Sequence, residues 1–228
     1  KELTGGIASL CKAKGVDVHK GFGSIDSGNI YTNFKLKIQG EGETYFIEAK
    51  RVIVATGSKP AQIPAFNIDH KRILDSDDIL HPNFKDLPES MIVIGAGVIG
   101  CEFANIFAEF GVKVTMLEYL PTILANEERI AINYVKKKFK KLGVGIETGQ
   151  NVLSVDNTGE SVKVTVCDAK VEKDEVPCAE KHEFEADMCV VSIGRAKVSE
   201  GLGLEKFNIE TKRGAIPINN ETMETSYA

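Results

Sequence analysis

Residues 95–102 read GAGVIGCE and follow the apolar run MIVI at 91–94. Glycine at the first, third and sixth positions, opening a helix directly after a buried strand, is the arrangement that cradles the pyrophosphate of a dinucleotide. Each position has a task. Gly95 lets the chain turn sharply, Gly97 lets backbone approach the phosphates, and Gly100 lets the helix pack closely on the strand. Ala96, Val98 and Ile99 complete the loop, and a helix beginning near Val98 aims free N–H groups and its positive dipole end at an anion. The next apolar run, VKVTMLE, ends in Glu118, about twenty residues on, where the fingerprint places an acid. A carboxylate there accepts from the adenosine ribose hydroxyls and repels a 2′-phosphate, which favours NAD over NADP. Glu102, one turn into the helix, either reaches toward the nicotinamide end or complements the helix dipole. Cys101 lies in the same turn, where a thiolate is stabilised, but packing is the better reading.

Two further strands run into glycine turns, VIVATGSKP at 52–60 and VVSIGRAK at 190–197. Strand ends at the carboxyl edge of a sheet are where such folds touch ligands. Other chemistries find less support. The cysteines, Cys11, Cys101, Cys167, Cys178 and Cys189, are odd in number and form no C-x-x-C or C-x-x-x-x-C pair. That argues against a disulfide framework, a zinc cluster or a redox pair, and for cysteines packed in the core or in strands. No residue is assigned as catalytic or as a metal ligand.

The elements around these motifs follow from periodicity. ELTGGIASLCKAKGV reads as a short helix ending near Gly15. VDVHKGFGSI, IYTNFKLKIQ and TYFIEAK alternate as half-buried strands, with GEGE at 40–43 joining two of them as a hairpin. VIVATG reads as a fully apolar strand. Residues 61–88 are rich in Pro, Asp, His and Asn and read as a connector, with Ser76 capping a helical turn at SDDIL. From residue 89 strands and helices alternate, which predicts a parallel sheet with crossovers. The helix in NEERIAINYVKKKFKKLG places Ile130, Tyr134 and Leu142 on its apolar side, widened by Val135 and Phe139, with Asn126 as cap and Gly143 as stop. NVLSVDN, SVKVTVCDA and HEFEADMCVVSIG then form an antiparallel meander appended to that sheet, with Val162, Val164 and Val166 on one face. The charged stretch KVEKDEVPCAEK interrupts it. The predicted fold class is α/β: a Rossmann-like parallel sheet plus a β-meander, flanked by a second domain piece.

Composition narrows the partners. With 228 residues, 43% hydrophobic and 27% charged, the chain has the material for a soluble globular core. A net charge of −5 with no basic block leaves no electrostatic footprint for nucleic acid. KKKFKK at 136–141 reads as a solvated helix face with Phe139 inward. No apolar run approaches the roughly 20 residues of a membrane helix, and no signal peptide is evident, so the default compartment is the cytoplasm or an organelle matrix. The absence of an initiator Met and of a closing element suggests an excised piece.

In order, the meander, ATGSKP, VIGAGVIGCEFA, the acid after TML, SIGRAKVSEGLGLE and RGAIPINNETMETS resemble the flavin-dependent pyridine nucleotide–disulfide oxidoreductases over essentially the whole chain. The resemblance implies an FAD domain interrupted by an NAD domain. Residues 1–60 would then belong to the FAD domain, 61–88 to the connector, 89–208 to the NAD domain and 209–228 to the return segment. It places Thr56, Gly57 and Ser58 near the flavin, Gly23 near its adenine portion, Val152 on the adenine side of NAD and Gly194 on the nicotinamide side. The implied reaction passes electrons from a dithiol through a cysteine disulfide and FAD to NAD. The implied partners are a lipoyl domain as substrate and a second subunit in a homodimer, with no nucleic acid and no membrane. EYLPTILANEE after the second strand lacks the basic residues of NADP-dependent relatives, which favours the dihydrolipoamide-oxidising branch over glutathione or mercuric reductases.

The departures are equally specific. The sequence contains no N-terminal FAD fingerprint, no redox C-x-x-x-x-C, no second flavin motif and no catalytic His–Glu pair. His19, His70, His81 and His182 fall outside any matching motif and read as surface residues. The chain alone is therefore expected to bind NAD weakly, to hold little or no FAD and to be inactive. A free-standing NAD-binding or redox-sensing module is the alternative, but it leaves ATGSKP and the first meander without a purpose.

Overall fold

The computed structural model describes residues 2–169 and 180–227. The chain divides into two compact units, residues 1–58 with 197–228 and residues 59–196. Residues 170–179 of the charged stretch, Cys178 among them, lie outside the described residues.

The first unit begins with helix α1 (Glu2–Ala13), then strands β1 (Phe22–Ser27), β2 (Phe34–Gln39) and β3 (Thr44–Ala49) in an antiparallel meander. GEGE closes the β2–β3 hairpin as its turn residues predict, with Gln39 opposite Thr44 and the Gly40 N–H donating to the Glu43 carbonyl at 2.9 Å. A small core gathers Ile25, Leu202, Leu204, Phe207 and Ile209. The chain must pass close to β1 here. Gly203 has φ +80°, and a Cβ on it would lie 2.2 Å from the Ile25 carbonyl oxygen. The run VIVATG departs from its predicted strand. Val52 and Val54 pack against this core, but Ile53 is 91% exposed and residues 51–57 carry no strand ladder. Apolar, β-branched residues suit a strand, yet only neighbouring backbone can satisfy its N–H and C=O groups. β4 (Ser58–Pro60) follows.

The second unit contains β5 (Ile73–Asp75), α2 (Ser76–Ile79), β6 (Ser90–Ile94), α3 (Val98–Glu109), β7 (Lys113–Glu118), α4 (Arg129–Leu142), β8 (Gly145–Thr148), β9 (Gln150–Asn157), β10 (Val162–Asp168), β11 (Lys181–Ala186), β12 (Met188–Val191) and β13 (Arg195–Lys197), which continues past its boundary. Five strands form a parallel sheet in the order β5-β12-β6-β7-β8. Alternate residues face opposite layers. Met91, Val93, Val114, Met116 and Val190 pack with Phe103, Phe107 and Phe139 of the helices, while Ile92, Ile94, Leu117, Cys189 and Val191 pack with Val155, Val162, Val164 and Val166 of the meander. Burial on both faces explains why β6 reads as an unbroken apolar run rather than an alternating one. The meander β11-β10-β9 is antiparallel, with Val162, Val164 and Val166 fully buried on one face as predicted.

Local readings fare unevenly. Residues 61–88, read as a connector, supply β5 to the edge of the sheet. Asp75, not Ser76, caps α2: its carboxylate accepts from the amides of Asp77 and Asp78, and Asp78 answers by accepting from the Asp75 amide. Ser76 is the first helical residue. In α4 the inward stripe is Ile132, Val135, Phe139 and Leu142, whereas Ile130 and Tyr134 are 85% and 74% exposed. At 100° per residue the stripe through Val135 and Phe139 turns Ile130 and Tyr134 toward solvent. Gly143 ends α4 in the left-handed conformation, φ +74°, but the helix starts at Arg129, with Glu128 before it, rather than at Asn126. Of the thiols, Cys101 and Cys189 are buried, as packed cysteines should be, and Cys11 is half-buried. Cys167 is disulfide-bonded, against the expectation of a simple packed thiol. All four histidines are exposed.

Candidate dinucleotide site

The site grows from the carboxyl ends of β6 and β7. Gly95 turns the chain at φ +94°, its N–H donating to the Leu117 carbonyl at 2.8 Å, and a Cβ there would meet the Ser192 carbonyl oxygen at 2.7 Å. Both the backbone conformation and the space therefore demand glycine. Gly100 is tighter still: a Cβ would lie 1.9 Å from the Gly95 carbonyl oxygen. Gly97 differs. It sits at the start of α3 with no protein atom within 4 Å of its would-be Cβ, so its open side faces a cleft rather than protein. No side chain caps α3. Its first N–H groups and positive dipole end are left for an anion.

Ser192 bolts the loop from behind, its Oγ donating to the carbonyls of Ile94 at 3.0 Å and Gly95 at 3.1 Å. Glu118 holds it from the front: Oε2 accepts from the Ala96 amide at 2.6 Å and Oε1 from the Leu120 amide at 2.8 Å. The acid that the spacing singled out thus also fixes the turn of the glycine loop. Ala96 is buried, and its carbonyl accepts from the Leu124 amide at 2.8 Å and the Cys101 thiol at 3.5 Å. Burial, with the nearby charges of Glu118 and Glu102, pushes the Cys101 thiol up to about 12. It is a packing group, not a nucleophile.

A cleft of ≈ 820 Å³ opens in front of the loop. Its lining brings together Gly95, Gly97, Val98, Ile99, Glu118, Val152 and Gly194 from the residues singled out in the sequence. Ala96, Gly100 and Cys101 are buried and outside the lining, and Glu102 is exposed and outside it too. Gly23, Thr56, Gly57 and Ser58 belong to the other unit and line no part of this cleft. There Thr56 Oγ1 donates to the Val198 carbonyl, and the Val198 amide donates to Gly57 at 3.1 Å. The lining also holds Asn126, Gln150, Asn151 and Arg195, which pattern reading missed. Asn126, expected as a helix cap, lines the cleft instead. Arg195, inside the quoted VVSIGRAK, reaches Ser76 Oγ at 3.1 Å and Asp77 at 3.3 Å.

Beside the sheet edge, Asp69 accepts from the amides of Lys71, Arg72 and Ile73 and from Asn157. Partial burial alone would raise its carboxyl, but these hydrogen bonds, led by Asn157, outweigh it and bring it down to about 2. His70 lies 2.9 Å from Asp78, whose hydrogen bond raises the imidazole above its ordinary value against a smaller effect of burial.

A parallel sheet with helices over one face, a glycine loop leading into an uncapped helix and an acid closing the next strand define a Rossmann-type α/β protein. Comparison narrows this class. The family model for pyridine nucleotide-disulphide oxidoreductases matches residues 1–228, and the chain belongs to that family. It is 36% identical over 222 residues to dihydrolipoyl dehydrogenase of Bacillus subtilis, covering 96% of this chain and 45% of that protein. It is 37% identical over 222 residues to dihydrolipoamide dehydrogenase of Chaetomium thermophilum, covering 96% and 41%. The crystal structure of LpdA from Mycobacterium tuberculosis superposes with a TM-score of 0.82 at 29% identity, covering 93% of this chain and 44% of that one. The chain therefore spans less than half the length of the curated relatives it matches.

Proposed function

We propose that this chain is the NAD-binding portion of a dihydrolipoyl dehydrogenase. The observation that carries the reading is the loop Gly95–Gly100 in front of the uncapped start of α3, with the Glu118 carboxylate in the same cleft. The residues fit a dinucleotide: Gly97 leaves room for phosphate, the first N–H groups of α3 suit its charge, and Glu118 suits ribose hydroxyls. Ligand hydroxyls would compete for, or share, a carboxylate already accepting from Ala96 and Leu120. Gly194, which follows the Ser192–Ile193 segment against Gly95, and Val152, beside Asn151, would flank the two ends of the extended cofactor.

When bound, NAD supplies the hydride acceptor and FAD the two-electron relay of a dithiol oxidation. This chain's contribution is to bind and orient: glycine backbone and helix dipole hold the phosphates, and Glu118 selects an unphosphorylated ribose. Gly23, Thr56, Gly57 and Ser58 would face FAD in the whole protein. The chain lacks the C-x-x-x-x-C and the His–Glu pair, so it would not oxidise dihydrolipoamide alone. In the whole protein the partners would be a lipoyl domain and a second identical subunit. Among the described residues no helix is long and apolar enough to cross a membrane, and the proposed compartment is the cytoplasm, or the mitochondrial matrix in a eukaryote. A stand-alone NAD module is less well supported, because the family match runs through the first meander as well.

The test is calorimetric titration of the chain with NAD and NADP, repeated on Glu118→Arg. NAD should bind in preference to NADP, and the variant should lose that preference. An unchanged preference in Glu118→Arg would remove the role given to the acid. Flavin absorbance copurifying in stoichiometric amount would overturn the expectation that the chain alone holds little FAD.

A further inference from the structure

Among the described residues, one buried side-chain polar atom has no hydrogen-bond partner: Oε1 of Gln150. Buried amide oxygens are almost always served by a donor, so an exception beside a cleft calls for a physical reason. Gln150 is the first residue of β9 and lines the same cleft as Glu118, Asn151 and Val152.

Its position along the cleft follows from the sheet. The glycine loop leaves β6, Glu118 ends β7, and β8 flanks β7 on the side away from β6. Glu118 pairs in register with Thr148, two residues before Gln150, and the Gly149 amide donates to the Leu120 carbonyl at 3.1 Å. A nucleotide with its pyrophosphate on the loop after β6 and its ribose at the end of β7 extends its base toward Gln150. Adenine presents there an amino group that donates, beside ring nitrogens that accept. A carboxamide matches that pair, and a glutamine is a good reader of adenine for this reason.

We propose that Gln150 is the adenine-reading residue of this cleft, its carboxamide oxygen accepting a hydrogen bond from the 6-amino group. The inference rests on the dinucleotide reading given above. In the structure the oxygen is sealed from solvent, so reading the base requires the carboxamide to turn into the cleft about the side chain's torsions, of which the terminal one is soft. An adenine amino group would supply the donor that this oxygen lacks among the described residues.

The experiment is calorimetric titration of the 228-residue chain with NAD and with nicotinamide purine dinucleotide, in which hydrogen replaces the 6-amino group and leaves neither orientation of the carboxamide a partner at that position. The wild-type chain should favour NAD by about fivefold to tenfold, the discrimination one neutral hydrogen bond supplies. Gln150→Leu should weaken NAD more than the analogue and bring the ratio to about twofold or less. Gln150→Met, a closer match in length, should do the same if the leucine variant folds poorly. Equal wild-type affinities for the two nucleotides overturn the proposal, as does a preference that survives in both variants. No saturable binding of either nucleotide overturns it together with the dinucleotide reading, a pattern distinct from equal binding of both.

Discussion

Residues 91–94 and 52–54 are both short apolar runs leading toward a glycine turn, yet Met91 and Val93 are fully buried while Ile53 is 91% exposed. The difference lies in the neighbours. MIVI is β6, paired on one side with β12 and on the other with β7, with helices over one face and the meander over the other. VIV has a core beneath Val52 and Val54 but no strand beside it among the described residues. A strand is stabilised by its ladder and both its faces, and apolar character supplies only the second of these.

The largest expected effect comes from the buried run. Met91→Ala should destabilise the protein by about 2–5 kcal/mol, as removal of a fully buried side chain does, with the loss read from chemical denaturation. Next is the glycine loop. Gly100→Ala forces a methyl toward the Gly95 carbonyl and should cost about 1–3 kcal/mol, and NAD affinity should fall at the same time because α3 is pushed off the loop. If Gly100→Ala bound NAD normally, the loop geometry would not be what recognises the cofactor.

A smaller effect is pH-dependent. The Asp69 carboxyl is lowered from 3.8 to about 2, so its contribution to stability is complete above 3.8 and is lost as the pH falls through about 2. Asp69→Asn keeps an acceptor for the 71–73 amides but cannot titrate. Its stability should lack that acid-range component when denaturation midpoints are compared between pH 4 and 2. A slope identical to wild type would mean that other groups dominate the acid limb. Smallest of all, Ile53→Ser should change stability by no more than about 0.5 kcal/mol, because the side chain is already in water. A large loss there would show that residues 52–57 are more tightly packed than the contrast with β6 allows.

The same contrast explains what could be read in advance. The alternation of strands and helices after residue 89, the 40–43 hairpin and the meander valines were legible because each is a periodic signal between neighbours in the chain. β5 was not, since three residues after a Pro- and Asp-rich stretch carry no period, and their strand identity comes from pairing with β12, more than a hundred residues away. The capping of α2 turned on which of two adjacent polar residues, Asp75 or Ser76, took the cap, a choice that composition does not make. In the cleft, the glycines and Glu118 announced themselves by spacing. Asn126, Gln150 and Asn151 had no ligand motif to mark them, and Arg195 lies inside VVSIGRAK without a spacing of its own; all four enter the lining because separate chain segments converge there.

The central claim is that this cleft is where NAD binds, and amide chemical-shift mapping of the isotope-labelled chain during NAD titration tests it most directly. The account predicts saturable shifts concentrated at residues 95–102, 118–120, 150–152 and 194. Shifts centred instead on residues 22–58, or none at any NAD concentration, would contradict it.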